Sequence, residues 1–337
     1  MIGSSTPRAR SLLAALAITT MVGGAIAGCG GRRDAATTAG GECVAGTGRV
    51  TIATGNSTGV YYVLGGGLAQ VIEANTDLSA TAAETGASVQ NIQQLVAREY
   101  DIAFSLADTA ADAVKGTASF TSAQPVSALA RIYSNYTHAI VRADAGINTV
   151  QDMKGKRIST GSPRSGTEVI ANRLLQAAGI DPATGVQGQR LDLTKTIDGM
   201  KDGSIDGLFW SGGLPTPAIT DLFTSLGNRV KFVDITSLLP AMKQINTVYD
   251  QGAIPAATYQ TPADVPTIVV PNVLLVRNDF AEGNACALTK LLFERKADLE
   301  KVHPAAKEIA KETAAKTDPV PLHPGARRAL EQLGVTG

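Results

Sequence analysis

The stretch TIATGNSTGVYYVLGGGLAQVIE, residues 51–73, joins a strand, a glycine-rich turn and a helix. The β-prone run 50–54 ends at the turn GNSTG, and a helical pattern continues from there to about Ala74. Backbone N–H groups at the start of a helix, together with the helix dipole, favour negative charge. The turn therefore predicts an anion-binding cradle. It lacks the Gly-Lys-Ser/Thr sequence of a P-loop, so it does not indicate a nucleotide site.

Two further turns repeat this pattern. Residues 86–88 (GAS) precede a helix that carries Asn91 one turn on, and residues 161–167 (GSPRSGT) include Arg164, a residue type suited to binding carboxylates. Trp210 ends a strand, where it could cover a ligand. Ser88 as a helix cap, Arg164 as a solvated turn residue and Trp210 as a core residue are the alternatives. The predicted ligand-binding residues are Asn56, Ser57, Thr58, Gly59, Tyr61, Tyr62, Ser88, Asn91, Arg164, Ser165, Gly166, Thr167 and Trp210.

Strand-like and helix-like segments alternate along the chain and predict an α/β fold. The strand–turn–helix unit occurs once in each half, and the pattern restarts near residue 133. Two such halves facing each other form a cleft at the carboxyl ends of their strands. We therefore expect a two-lobed, periplasmic-binding-protein-like (type II) fold with a hinge and an interlobe cleft. Lobe I would contain residues 44–132 and about 265–337, and lobe II residues 133–264.

The N-terminus has the features of a bacterial lipoprotein signal. Arg8 and Arg10 precede an apolar stretch, and the sequence IAGC at 26–29 resembles a lipobox. We expect residues 1–28 to be the signal peptide, Cys29 to be the lipidated first residue of the mature chain, and residues 29–48 to form a flexible tether. A plain signal peptide with an incidental cysteine is the alternative.

The remaining cysteines, Cys43 and Cys286, form an even pair in an oxidising compartment, which is compatible with a disulfide. Two separate thiols are the alternative. The three histidines are scattered, and no cysteine or histidine spacing indicates a metal site. His138 lies in a strand-like run and is interpreted as structural.

Composition argues against several classes of function. The whole chain has 30 basic and 30 acidic residues, and the loss of Arg8 and Arg10 with the signal would leave a net charge of −2. No basic stripe or aromatic platform indicates nucleic acid. No paired base and nucleophile indicates catalysis, so we expect a monomeric binding protein that needs no cofactor.

The chain resembles the TAXI-type solute receptors of tripartite ATP-independent periplasmic (TRAP) transporters. Short motifs carry the resemblance, and they occur in that family's order between residues 50 and 280. They are IATG (52–55) with GVYY (59–62), ETGASVQN (84–91), DIA (101–103) with Asp108, DMKGKRI (152–158), SGT (165–167), DGLF (206–209) with Gly213-x-Pro215, and VPT (265–267).

The resemblance implies an extracytoplasmic receptor, held at the membrane by its lipid, that delivers a small organic acid to a TRAP permease. Glutamate and related dicarboxylates such as 2-oxoglutarate are the ligands it suggests. A receptor of the same fold serving an ATP-driven transporter or a sensor kinase is the first alternative. A secreted enzyme and a surface lipoprotein without a ligand are the others.

Overall fold

A ten-stranded sheet organises the computed structural model, which describes residues 43–335. Its strands alternate with helices along most of the chain, as the sequence pattern predicts. The strands are β1 (Gly48–Ala53), β2 (Leu78–Ala83), β3 (Ile102–Leu106), β4 (Val126–Arg142), β5 (Arg157–Ser159), β6 (Gln187–Gln189), β7 (Gly207–Gly212), β8 (Val230–Phe232), β9 (Asp250–Ile254) and β10 (Val265–Arg277).

The spatial order of the strands divides the sheet into two halves. The order is β2-β1-β3-β10-β4-β7-β5-β6, with β8 paired to β4 and β9 paired to β10. Pairing is parallel among β2, β1 and β3 and among β7, β5 and β6, whereas β10 and β4 are antiparallel to their neighbours. Each half is therefore a small parallel sheet, and β4 and β10 lie between the two.

Strands β4 and β10 are shared by both halves. The second part of β4 pairs with β7, and its first part pairs with β10. In the same way, β10 pairs first with β9 and later with β3. The sequence suggested separate strands at 127–132 and 137–142, and this is wrong because the polar residues between them remain in the extended strand.

Helices cover the sheet. Ser165 and Asp192 cap two of them, each accepting a hydrogen bond from the backbone N–H three residues on. The helices are α1 (Val60–Asn75), α2 (Ser88–Val96), α3 (Ala107–Lys115), α4 (Gly166–Ala177), α5 (Leu193–Asp202), α6 (Pro217–Leu226), α7 (Leu239–Ile245), α8 (Ala256–Tyr259), α9 (Glu282–Glu294), α10 (Lys296–Val302), α11 (Lys311–Ala314) and α12 (Pro324–Gln332). Short 3₁₀ helices cover Ala143–Ala145, Gln151–Met153, Gly227–Arg229, Thr236–Leu238 and Pro304–Glu308.

Three apolar clusters form the core. One packs α1, α9, α10 and α12 against the first half of the sheet, and another packs α5 and α6 against β7. The third joins side chains of α2 and α3 to side chains of α4, including Ile92, Ala110 and Leu174. Apolar packing therefore continues from one half of the structure to the other.

Cys43 is joined to Cys286 of α9 by a disulfide, with the two Cα atoms 4.9 Å apart. Of the predicted tether, residues 43–48 are described, and Gly48 is already part of β1. The predicted signal peptide and Cys29 lie outside the described residues. Within residues 43–335, no helix is long and apolar enough to span a membrane.

Candidate functional site

The first turns of three helices converge on one cavity. Helix α1 follows the turn after β1, α2 follows β2, and α4 follows β5, so all three begin at carboxyl ends of parallel strands. This is where ligands bind in open α/β sheets. The cavity is lined by Gly55, Asn56, Gly59, Val60, Tyr61, Gly86, Ala87, Ser88, Leu106, Asn135, Ser165, Gly166, Thr167, Trp210, Ser211, Gly212 and Gly213.

Neutral hydrogen-bond donors dominate the polar part of this lining. Among the described residues, the lining contains no Lys, Arg, His, Asp or Glu. The first N–H groups of a helix have no partner within the helix, and at α4 these include the N–H groups of Gly166 and Thr167. Any preference of this cavity for negative charge therefore comes from backbone dipoles at the helix starts and not from cationic side chains.

The cavity is narrow in this conformation. Its water-accessible volume is about 30 Å³. This volume holds roughly two or three water molecules. A group of that size corresponds to the head group of a small acid.

A buried polar network forms the floor. The hydroxyl of Tyr61 donates to Asn272 Oδ1, and Asn272 Nδ2 donates to Asn135 Oδ1 at 2.8 Å. Asn135 Nδ2 in turn donates to the carbonyl oxygen of Ser211 at 3.0 Å. Burial raises the pKa of Tyr61, so its phenol stays protonated and can act as a donor. This network joins α1, β10, β4 and β7.

Asn56 closes the mouth of the cavity. Its Nδ2 donates to Ser162 Oγ at 3.1 Å, and its Oδ1 accepts from the backbone N–H of Leu193 at 3.1 Å. Close by, the N–H of Gln90 donates to the carbonyl oxygen of Arg164 at 3.0 Å. Residues that come from opposite halves of the sheet are thus hydrogen-bonded directly across the cleft.

Trp210 covers the start of α1. A methyl group built on Gly59 would lie 3.3 Å from the indole ring, so the ring is nearly in contact with the backbone there. The indole Nε1 donates to Thr216 Oγ1 at 3.1 Å, and this hydrogen bond fixes the ring orientation. The only tryptophan of the chain is therefore part of the cavity wall.

The structure brings most of the predicted ligand-binding residues together. The side chains come from different turns of the chain and meet in one place. The predicted residues that line the cavity are Asn56, Gly59, Tyr61, Ser88, Ser165, Gly166, Thr167 and Trp210.

Five predicted residues lie outside the lining. Ser57 is exposed, and its N–H donates to Glu84 Oε1. Thr58 contacts Thr194, and Tyr62 is 37% exposed. The other two are Asn91 and Arg164.

Asn91 has a structural role in the geometry observed. Its Nδ2 donates to the carbonyl oxygens of Thr54 and Phe104 at 2.7 and 2.9 Å, and its Oδ1 accepts from Thr85 Oγ1 at 2.6 Å. All of its polar atoms are therefore engaged in tying α2 to the ends of β1 and β3.

Arg164 faces away from the cavity. It is exposed, it has a positive φ of 61°, and its Nη1 lies 3.4 Å from Gln93 Oε1. Arg164 is a surface turn residue in this conformation and does not line the cavity.

Several residues that line the cavity are not among the predicted ligand-binding residues. Asn135 lies in the middle of β4 between Ser134 and Tyr136, and nothing in this polar run indicates that Asn135 borders a cleft. Leu106 belongs to a wholly buried strand. The small residues Ser211, Gly212 and Gly213 directly follow Trp210, and that neighbourhood could have identified them.

The model of the NMT1-like family matches residues 52–334. Solved structures with similar folds include the binding-protein component of a phosphonate ABC transporter from Pseudomonas aeruginosa, with a TM-score of 0.54 and 13% identity over 78% of this chain and 80% of that one. A second is PhnD1 from Prochlorococcus marinus in complex with methylphosphonate, with a TM-score of 0.53 and 10% identity over 86% of this chain and 99% of that one. A third structure, of a protein from Bordetella bronchiseptica, has a TM-score of 0.54 and 16% identity over 85% of this chain and 98% of that one.

These comparisons confirm the expected two-lobed, periplasmic-binding-protein-like α/β fold. They also correct the sequence-based resemblance. The identification with TAXI-type receptors of TRAP transporters is wrong, because the matching family model is NMT1-like and the similar binding proteins serve phosphonate ABC transport or bind methylphosphonate. Most of the short motifs that suggested TAXI receptors lie at turns and at strand ends of the observed fold.

Proposed function

The chain belongs to the NMT1-like family, and we propose that it is an extracytoplasmic solute receptor that closes over the head group of a small anion. Lobe I contains residues 44–132 and about 265–337, lobe II contains residues 133–264, and β4 and β10 form the hinge between them. Ligand binding stabilises the closed form because the ligand contacts both lobes at once.

The observation that carries this proposal is the convergence of three helix N-termini on a cavity lined by neutral side chains. The N–H groups of α1 and α2 come from lobe I and those of α4 from lobe II. An anion placed between them satisfies donors on both sides, so charge stabilisation and closure are the same event.

The geometry favours a single small head group over a dicarboxylate. Glutamate and 2-oxoglutarate, the ligands suggested by the sequence resemblance, each carry two separated carboxylates. The cavity offers no cationic side chain for a second charge, and its free space is about 30 Å³. We therefore propose a compact carboxylate, sulfonate or phosphonate as the ligand class.

The proposed partner is the permease of an ABC-type importer. One similar structure is named as the binding-protein component of an ABC phosphonate transporter, and this supports the choice. We also propose that a lipid on Cys29 holds the receptor at the outer face of the membrane. A Cys29→Ser variant is then expected in the soluble fraction after cell fractionation, and continued membrane association would contradict the anchor.

Titration of the purified protein tests the ligand class. Methylphosphonate, ethanesulfonate, acetate, glutamate and 2-oxoglutarate are added separately while the fluorescence of Trp210 and the melting temperature are recorded. A true ligand at about 100 times its Kd stabilises the fold by about 2.7 kcal/mol. Binding by none of the three single-headed anions would contradict the proposal, and tighter binding of a dicarboxylate would overturn the proposed class.

A matched pair of serine variants locates the site. Ser88 lines the cavity and Ser57 is exposed outside it. Removal of a hydrogen bond to a charged ligand costs about 1.5 to 3 kcal/mol, so Ser88→Ala is expected to weaken binding about tenfold or more. Ser57→Ala is expected to bind like the unmodified protein. Equal effects of the two substitutions would place the ligand elsewhere.

A further inference from the structure

A buried ionic cluster lies beside the cavity and joins the two proposed lobes. Arg173 of α4 donates through Nη1 to Asp108 Oδ2 at 3.0 Å and through Nη2 to Asp112 Oδ2 at 2.6 Å. The same Nη1 donates to the hydroxyl oxygen of Tyr249 at 2.9 Å, and that hydroxyl donates to Asp108. We call Asp108, Asp112, Arg173 and Tyr249 the Arg173 cluster.

The Arg173 cluster is almost fully shielded from solvent. Asp108 is 0% exposed and Tyr249 is 1% exposed, while Arg173 and Asp112 are each 7% exposed. Burial also raises the pKa of Tyr249, which keeps its phenol protonated as a donor to Asp108. The ion pair between Arg173 and Asp108 is deeply buried, whereas ion pairs such as Arg98–Asp279 lie at the surface.

The cluster divides between the lobes. Asp108 and Asp112 belong to α3 of lobe I, and Arg173 and Tyr249 belong to lobe II. Asn246 adds a further contact from lobe II, donating to the carbonyl oxygen of Asp108 at 3.3 Å. Rotation of the lobes about β4 and β10 changes the distance between these groups, so the cluster must break or rearrange when the cleft opens.

The cluster is also connected to the ligand cavity. Asp108 follows Leu106 by two residues, and Leu106 lines the cavity. Arg173 lies on α4, the helix whose N-terminus provides the lobe II part of the anion cradle. Anchoring α3 to α4 therefore holds the two faces of the cavity at the distance at which both contact a ligand.

We propose that the Arg173 cluster locks the lobes together, so that the ligand-free receptor already spends most of its time closed. The four residues act as positioning residues, because none of them lines the cavity. Only the effect of this lock on ligand affinity depends on the proposed receptor function. Its effect on the ligand-free chain is independent of which solute binds.

The lock changes affinity through the closed population. The apparent Kd equals the intrinsic Kd divided by the fraction of molecules that can bind tightly. If that fraction falls from about nine-tenths to about one-tenth when the cluster is removed, the apparent affinity falls about tenfold. The free protein would open more often, so association of the ligand would become faster while its dissociation also became faster.

Two ligand-free measurements test the lock on full-length Arg173→Met. Small-angle scattering gives the radius of gyration, and acrylamide quenching reports the accessibility of Trp210 in the cavity wall. The proposal expects a larger radius and stronger quenching than in the unmodified protein. Unchanged values in both measurements would overturn it.

Arg157→Met is the matched control. Arg157 pairs with Asp206 through Nη2, and both residues lie in lobe II. Breaking that pair removes the same type of charge without separating the lobes, so the radius and the quenching are expected to stay unchanged. An equal change in the control would show a general loss of structure and would count against the lock.

Tyr249→Phe keeps the test decisive if Arg173→Met does not fold. It removes the hydroxyl contacts to Arg173 and Asp108 but leaves every charge in place, and it is expected to open the ligand-free protein to a smaller degree. Methylphosphonate titration of the same variants separates the two hypotheses. If methylphosphonate does not bind even the unmodified protein, the ligand class fails, and the ligand-free measurements still decide on the lock.

Discussion

Gly166 of α4 packs directly against Ser88 of α2 across the cleft. A methyl group built on Gly166 would lie 2.8 Å from Ser88 Oγ and 2.5 Å from Leu106 Cδ1, which is closer than nonbonded atoms approach. A side chain at position 166 therefore does not fit unless Leu106 and Ser88 move. The conformational freedom of glycine is not the reason, because Gly166 lies in a helix.

Gly166→Ala is expected to hold the lobes apart. The added methyl group clashes only in the closed form, so ligand affinity is expected to fall at least about tenfold, as it does when the closed fraction falls by that factor. Isothermal titration with the ligand found in the titration above measures the change. Because the Arg173 cluster is proposed to keep the ligand-free protein mostly closed, its melting temperature is expected to fall as well.

Gly66→Ala provides the control for that prediction. Gly66 lies in α1, and a methyl group there has no neighbour within 4 Å. Ala is favoured over Gly in a helix by about 0.5 to 1 kcal/mol, so this variant is expected to gain stability and to keep its affinity. Unchanged affinity of Gly166→Ala would contradict the proposed closure.

Asn91→Ala is expected to destabilise the fold without altering the cavity. It leaves the carbonyl oxygens of Thr54 and Phe104 and the hydroxyl of Thr85 without their partner. Buried polar groups without a partner cost about 1 to 3 kcal/mol each, so the three groups predict a loss of at least about 3 kcal/mol in urea unfolding. A variant that unfolds normally but binds weakly would instead assign Asn91 to the ligand.

Most strands and helices and the three strand–turn–helix units can be predicted from the sequence because each depends on local chemistry. The helix start at Ser88 and the turn before Gly166 follow from glycine, serine and threonine positions within a few residues. The Arg173 cluster was not predicted, because Asp108 and Arg173 are 65 residues apart and meet only through packing. Asn135 was missed for the same reason, since a polar residue inside a strand carries no local sign of its partner Asn272.

The role of Arg164 shows a second limit of sequence reasoning. A cationic residue inside a glycine-serine turn is compatible with binding an anion and with pointing into solvent. The backbone decides between them, and the positive φ of Arg164 directs its side chain toward Gln93 and the surface. A residue type therefore identifies a candidate, whereas the backbone conformation determines its direction.

Removal of the disulfide is expected to lower stability and leave the cavity intact. The bond connects Cys43, five residues before the start of β1, to Cys286 within α9, and neither cysteine lines the cavity. Loss of a disulfide that closes a long loop costs about 2 to 4 kcal/mol. The Cys43→Ser/Cys286→Ser double variant is expected to unfold at lower urea concentration and to bind its ligand normally. If reductant does not shift the unfolding of the unmodified protein, the bond does not stabilise it.

His138 is expected to make the fold sensitive to mild acid. Burial lowers its pKa to about 4 from the usual 6.5. Its Nε2 accepts a hydrogen bond from the Tyr259 hydroxyl, and its Nδ1–H donates to the carbonyl oxygen of Tyr136. Protonation would place a second donor on Nε2 and a charge in the core, and the hydrogen bond from Tyr259 would be lost.

The sign of the effect follows from proton binding. Between pH 6.5 and about 4, the unfolded chain holds a proton on His138 that the folded chain does not hold. The free energy of unfolding therefore falls as the pH falls through this window, by up to roughly 3 kcal/mol. Burial also lowers the pKa values of His303 and His323, which contribute in the same direction.

Urea unfolding at a series of pH values from 7.5 to 4.5 measures this slope. The His138→Gln variant carries a neutral side chain with both a donor and an acceptor, so it is expected to unfold with a shallower dependence on pH in the same range. The difference between the two slopes isolates His138 from the other histidines. Identical slopes would show that His138 titrates alike in the folded and unfolded chains, and this would contradict its lowered pKa.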